Sequence, residues 1–281
     1  MKMHDDELDI DDGLVRRLLR AQFPQWAGLP LKPVGAGTAH VMMRLGDDLV
    51  VRLPRQATST DVELEQRWLP VLAPRLPLPV PVPVGFGAAP EDYPARWSVQ
   101  SWLDGDHDFT DLRSCALQLA SFLTALRQVS PAGAPDGYRG GRPTGWDDAV
   151  RRGLRDLDVP GGAAFWERSW DVPGWAGPKV WTHGDLLPTN LLASGGRLAA
   201  VLDFGCAGAG DPACDLMPAW TLFDDASRPV FRSAADVDDA TWERGRAWAF
   251  AFGISAWHYY AGRNPPFAEL GRRTVNHVLT S

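Results

Sequence analysis

Three short apolar runs, Val180–Thr182, Leu191–Ala193 and Leu198–Leu202, constrain the fold more than any other feature, because of the polar residues placed between them. Each run is too short for a helix and apolar enough for a buried strand. The first leads at once into His183-Gly184-Asp185, Asn190 precedes the second, and the third leads into Asp203-Phe204-Gly205. This order puts Asp185 in a loop immediately after a strand, where a carboxylate can meet an incoming hydroxyl. Asn190 offers a neutral oxygen and Asp203 a charged one, both hard donors.

The rest of the chain divides in two by pattern. Asp11 and Asp12 can cap a helix with Leu14, Val15, Leu18 and Leu19 on one face. Leu31–Ala36, Val41–Leu45 and Leu49–Leu53 read as strands, Asp61–Leu72 as a helix, and Pro74–Pro83 as a connector into a strand near Val84. Trp97–Leu103 is one more short apolar run. Beyond it helices dominate, over Leu112–Val129, Asp147–Leu157, Pro212–Phe223 and Asp239–Tyr260. Residues 1–103 therefore read as a strand-rich lobe and 104–281 as a mainly helical one, an α+β organisation. The glycine-rich stretch Gly133–Gly145 reads as a mobile loop.

A net charge of −7 argues against binding the nucleic-acid backbone, which selects basic surfaces. No apolar run is long enough to span a membrane. Met1–Asp12 is acidic and lacks the apolar core of a signal peptide. Cys115, Cys206 and Cys214 make no disulfide or metal pattern, so a cytoplasmic protein with reduced thiols is expected. Nothing in the sequence sets an oligomeric state.

The Asp185-to-Asn190 spacing and the literal D-F-G match the H-R-D-x-x-x-x-N and D-F-G elements of protein kinases, with Gly184 in place of the arginine. The segment resembles the catalytic loop of the aminoglycoside phosphotransferase family, whose hallmark is H-G-D-x-x-x-x-N. Gly210-Asp211-Pro212-Ala213-Cys214-Asp215-Leu216 resembles the same family's G-D-P-x-x-D-L. The resemblance implies a two-lobed protein-kinase-like fold with the active site in the cleft. It implies a phosphotransferase that moves the γ-phosphoryl group of ATP to a hydroxylated small molecule with Mg²⁺, GTP remaining open. Asp185 would aim the acceptor hydroxyl, Asn190 and Asp203 would hold magnesium, and His183, Asp211 and Asp215 would brace the loop. Asp211 follows D-F-G so closely that no activation segment for docking peptides fits.

In the first lobe, Gly35, Gly37 and Thr38 fall where a turn would cover the phosphates, and the backbone around Gln100 to Trp102 where a hinge would meet adenine. Glu65 matches the acid that pairs with a strand-borne lysine. Here that strand reads Leu49-Val50-Val51-Arg52-Leu53-Pro54-Arg55, with arginine at the expected position. Only three of the chain's 28 basic residues are lysine. Three readings follow: Arg52 does the lysine's work, Arg55 does it instead, or the chain is a nucleotide-binding pseudokinase.

The acceptor stays open among an aminoglycoside or other antibiotic, a sugar, an amino alcohol and homoserine. Acidic candidates for its surface are Asp104, Asp106 and Asp108, Asp224 and Asp225, and Asp236, Asp238 and Asp239. Trp220, Trp257, His258, Tyr259 and Tyr260 are aromatic ones.

Overall fold

The computed structural model describes residues 6–281, without the side chains of residues 35 and 36. Residues 1–5, part of the acidic stretch weighed above as a possible leader, lie outside it. The chain packs as two compact units. One holds the described residues up to Pro74, then Pro79–Asp104 and the short piece Leu202–Gly205. The other holds Arg75–Leu78, Gly105–Val201 and Cys206–Ser281.

The first unit opens with α1 (Asp12–Gln22), started by the Asp11 carboxylate, which accepts the Leu14 N–H at 2.7 Å. Its stripe of Leu14, Val15, Leu18 and Leu19 joins Leu45, Val51, Leu53, Tyr93, Trp97 and Val99 in one core. β1 (Leu31–Ala36), β2 (His40–Leu45) and β3 (Leu49–Pro54) precede α2 (Asp61–Leu72), and β4 (Pro83–Gly87) and β5 (Trp97–Ser101) follow it. The five strands form an antiparallel sheet in the order β1-β2-β3-β5-β4. β3 is central, and Val50, Val51 and Leu53 are buried on it. Arg52 is buried with them, only 3 % exposed. A buried guanidinium is costly unless paired, so this strand demands acids nearby.

The second unit contains α3 (Leu112–Gln128), α4 (Asp147–Asp156), α5 (Gly162–Arg168), β6 (Val180–Thr182), β7 (Leu191–Ser194), β8 (Arg197–Val201), β9 (Gly208–Gly210), α6 (Pro218–Thr221), α7 (Arg228–Ala235), α8 (Asp239–Tyr260) and α9 (Pro265–Thr280). β7 and β8 form a hairpin, and β6 pairs antiparallel with β9. The helix expected over Pro212–Phe223 is two pieces: a 3₁₀ turn Pro212–Leu216, then α6. Pro218 has no N–H to continue the first ladder and opens the second helix instead. Among the described residues no helix is long and apolar enough to cross a membrane, and the three cysteines are free thiols.

The Gly133–Gly145 stretch is a docked strap, not a free loop. Asp136 bridges to Ala209, the Gly137 N–H donates to the Ala209 carbonyl at 3.0 Å, and the Tyr138 N–H donates to the Cys206 carbonyl at 3.3 Å. Glycine makes the approach possible. A Cβ on Gly208 would stand 2.6 Å from the Gly137 Cα, and one on Gly210 would stand 2.3 Å from the Gly140 Cα. The glycines that suggested mobility in the sequence are there to let two backbones touch.

Candidate active site

Asp185 lies just past β6, and its surroundings pin it from several sides. Its N–H donates to His183 Nδ1 at 3.2 Å, and the imidazole is fully buried. The Asn190 Nδ2 donates to the Asp185 carbonyl at 2.8 Å and to its Oδ2 at 3.0 Å. A carbonyl can only accept, so the amide orientation of Asn190 is fixed and its oxygen faces away from Asp185. One turn between β6 and β7 thus delivers a carboxylate and an oriented amide oxygen.

Beneath the loop, buried Asp215 accepts the His183 N–H at 2.9 Å and the Gly184 N–H at 2.8 Å. Burial raises the Asp215 pKa above the usual carboxylate value, against the opposing pull of His183 and these two N–H groups. Asp211 caps the 3₁₀ turn through the Ala213 N–H and forms a buried ion pair with Arg244, 2.6 Å from Nε. Asp215 thus holds the loop backbone directly, while Asp211 holds the 3₁₀ turn that follows β9.

Gly184 explains why this motif carries glycine where protein kinases carry arginine. Its φ is +79°, and a Cβ there would lie 2.6 Å from the Cys206 carbonyl oxygen. Both the left-handed backbone and the backbone contact exclude a side chain. We expect Gly184→Ala to cost about 1–3 kcal/mol from backbone strain alone. Each kcal/mol lowers Tm by about 2–4 °C in a chain of this size class. Calorimetry would check this, and an unchanged Tm would contradict the steric argument.

Sequence reasoning missed one residue here. The strap carries Arg139, whose NH1 donates to the Gly184 carbonyl at 2.6 Å and to Asp185 Oδ1 at 2.7 Å. Arg139 is 6 % exposed, with its guanidinium 4.8 Å from the Trp146 ring centroid and 5.1 Å from that of Tyr138. The contact spans 46 residues of sequence and leaves no local pattern.

The first unit assembles a second cluster around Arg52. Its NH1 donates to both carboxylate oxygens of Glu65 at 2.6 Å, and its NH2 reaches Asp203 Oδ1 at 3.1 Å and His40 Nδ1 at 3.3 Å. Gln100 Nε2 donates to Glu65 Oε2 at 2.8 Å, and the Phe204 N–H donates to Glu65 Oε1 at 2.9 Å. Burial opposes the charged form of Arg52, but Glu65 and Asp203 outweigh it and hold its pKa above the ordinary arginine value. His40 Nε2 lies 3.0 Å from Asp61 Oδ2. Burial of Asp61 is outweighed by its bonds from His40 and Ser59, so its pKa is lowered. Asp203 adopts φ +61°, a left-handed backbone that a non-glycine residue takes at some local cost.

Arg55 is engaged elsewhere. Its Nε donates to the Gly37 carbonyl at 3.1 Å and its NH1 to Glu7 at 3.0 Å. It ties the Gly37–Thr38 turn to the chain start, while Arg52 meets Glu65 and Asp203. Gly35 belongs to the residues whose surroundings are not described. In the expected hinge the Trp102 N–H donates to the Asp48 carbonyl at 2.7 Å, and the Gln100 side chain belongs to the Glu65 cluster.

Several candidate acceptor acids have local employment. Asp224 caps Ser227, Asp238 caps α8 through the Thr241 N–H, Asp225 pairs with Arg228, and Asp239 pairs with Arg232. Trp220 is 1 % exposed and packs on Trp242 in the core.

A carboxylate clamped from two sides and an oriented amide oxygen in one unit, and a buried arginine–glutamate pair joined to a D-F-G aspartate in the other, are residue types that phosphoryl-transfer sites use. The family model of the phosphotransferase enzyme family matches residues 30–248, and the chain belongs to that family. It is a phosphotransferase with an alcohol group as acceptor. Among solved structures the chain is similar to the GDP complex of an aminoglycoside 2'-phosphotransferase-IIIa, at 18 % identity and TM-score 0.77, covering 96 % of this chain and 99 % of that one. A GDP and kanamycin complex of an APH(2") enzyme matches at 18 % identity and TM-score 0.76, covering 95 % and 98 %. The macrolide 2'-phosphotransferase of Brachybacterium faecium matches at 22 % identity and TM-score 0.64, covering 94 % and 97 %. At this identity the likenesses establish the kinase-like fold. No curated protein matches the chain.

Proposed function

We propose that this phosphotransferase moves the γ-phosphoryl group of ATP or GTP to a hydroxyl of a small molecule, with magnesium. The observation that carries the reading is the Asn190 side chain, whose NH2 is committed to Asp185, which leaves its oxygen on the other side, free to serve a cation. Asp185 aims the acceptor hydroxyl, and Asn190 and Asp203 are the magnesium ligands. Their oxygens are the hard donors that magnesium prefers, and the bound ion would neutralise charge on the phosphates. Arg52 takes the place of the strand lysine, held by Glu65. Its planar fork suits phosphate, and its bond to the D-F-G aspartate Asp203, which Arg55 lacks, favours Arg52 for the task. Gly35, Gly37 and Thr38 cover the phosphates, and the backbone from Gln100 to Trp102 meets the base. His183, Asp211 and Asp215 brace the loop.

The acceptor is a hydroxylated small molecule, and the fold is shared with enzymes acting on aminoglycosides and on macrolides. An aminoglycoside, a macrolide, or a metabolite such as a sugar, an amino alcohol or homoserine are the classes to separate. Reduced thiols and an acidic surface suit the cytoplasm.

The test is a screen of these classes with magnesium–ATP and magnesium–GTP, reading nucleotide turnover and the mass of the phosphorylated product. We expect turnover with at least one acceptor and its loss on chelation of magnesium. Nucleotide binding without transfer to any acceptor would favour a pseudokinase.

A further inference from the structure

Arg139 is the only basic residue found bonded to the Asp185 carboxylate among the described residues. Burying a guanidinium costs far more than it returns unless a charge answers it. Here the answering charge is Asp185, and the two side chains are 7 % and 23 % exposed. The same NH1 holds the Gly184 carbonyl, so one nitrogen fixes both the backbone before Asp185 and the carboxylate itself. With Asn190 on Oδ2, the carboxylate is gripped at both oxygens and its plane is set. Trp146 and Tyr138 close on the guanidinium, and the Trp146 ring rests on Trp248 of α8 at 5.7 Å. The cation therefore stands on a rigid support.

Phosphoryl transfer through a loose transition state asks little basicity of this carboxylate and much accuracy of aim. A neighbouring cation weakens a base but sharpens its position. We propose that Arg139, delivered by the docked strap, is a positioning residue that aligns Asp185 for attack and is required for full turnover. The inference rests on the reading of Asp185 as the aiming carboxylate. It assigns to the strap a part in the reaction in addition to its part in packing.

The experiment compares Arg139→Ala, Arg139→Gln and Asp185→Asn in the full chain. It uses whichever acceptor in the screen above, water included, gives the fastest turnover. A misplaced catalytic group costs on the order of 10²-fold. Arg139→Ala should therefore lose about 10²-fold in kcat while KM for the nucleotide stays near wild type, and added guanidinium ion at millimolar level should restore part of the loss. Arg139→Gln keeps a donor for the Gly184 carbonyl and covers the case in which the alanine variant does not fold. It should show the same split. Wild-type kcat in either folded variant, with Asp185→Asn inactive, would overturn the proposal and leave the Asp185 reading intact. Equal losses of kcat and nucleotide affinity with no rescue would reduce Arg139 to a structural brace and overturn it too. An active Asp185→Asn would instead remove the reading beneath it.

Discussion

Asp185→Ala is expected to lower kcat by about 10²-fold or more, the cost of losing the group proposed to aim the acceptor oxygen. Nucleotide affinity should stay close to wild type, because on the proposed reading this carboxylate meets the acceptor rather than the phosphates. Asp203→Ala should behave differently, weakening magnesium–nucleotide binding as well as turnover. Steady-state kinetics with an accepted substrate, joined to nucleotide titrations with and without magnesium, separate the two patterns. Wild-type turnover in the Asp185 variant would mean that another group aims the hydroxyl.

The second large effect belongs to Arg52. Removing its side chain leaves Glu65, 1 % exposed, as an uncompensated buried charge facing Gln100 and the Phe204 amide. Breaking a buried pair in this way costs about 3–5 kcal/mol. Against a typical total of about 5–15 kcal/mol, that removes a large fraction of the stability. Arg52→Ala should therefore lose stability and activity together. Arg52→Lys restores a point charge for Glu65 but cannot span Glu65, His40 and Asp203 with a planar fork. It should fold, bind nucleotide and turn over more slowly. Arg55→Ala should cost less, since it frees a turn and not a buried acid. Denaturation curves and kinetics on the three variants check the ranking. An Arg55 loss exceeding that of Arg52 would move the phosphate contact to the end of β3.

Much of this is legible in the sequence because its causes are local. α1 follows from the Asp11 cap and its one-sided apolar stripe, and the start of α8 from the Asp238 cap. Asp185, Asn190 and Asp203 are separated by fixed short spacings. The features that leave no such trace have non-local causes or weak local marks. β9 is Gly208-Ala209-Gly210, with no side-chain pattern to mark a strand. α9 begins on Pro265-Pro266, at helical positions that need no N–H. His40 meets Arg52 only because β2 and β3 pair in the register that sets Met42 opposite Arg52. Arg139 is hidden by its glycine-rich setting, where composition points to motion and backbone packing produces the reverse.

The strap has a consequence for what the enzyme can accept. β9 is flanked by β6 on one side and by the Asp136 bridge on the other. Both rows of its backbone groups are therefore occupied within the second unit. A polypeptide partner commonly gains affinity by laying itself along an unpaired strand. β9, the strand directly after D-F-G, has no such open rail. Selectivity for compact molecules over peptides would then be written into main-chain pairing, independent of any side chain that greets the substrate.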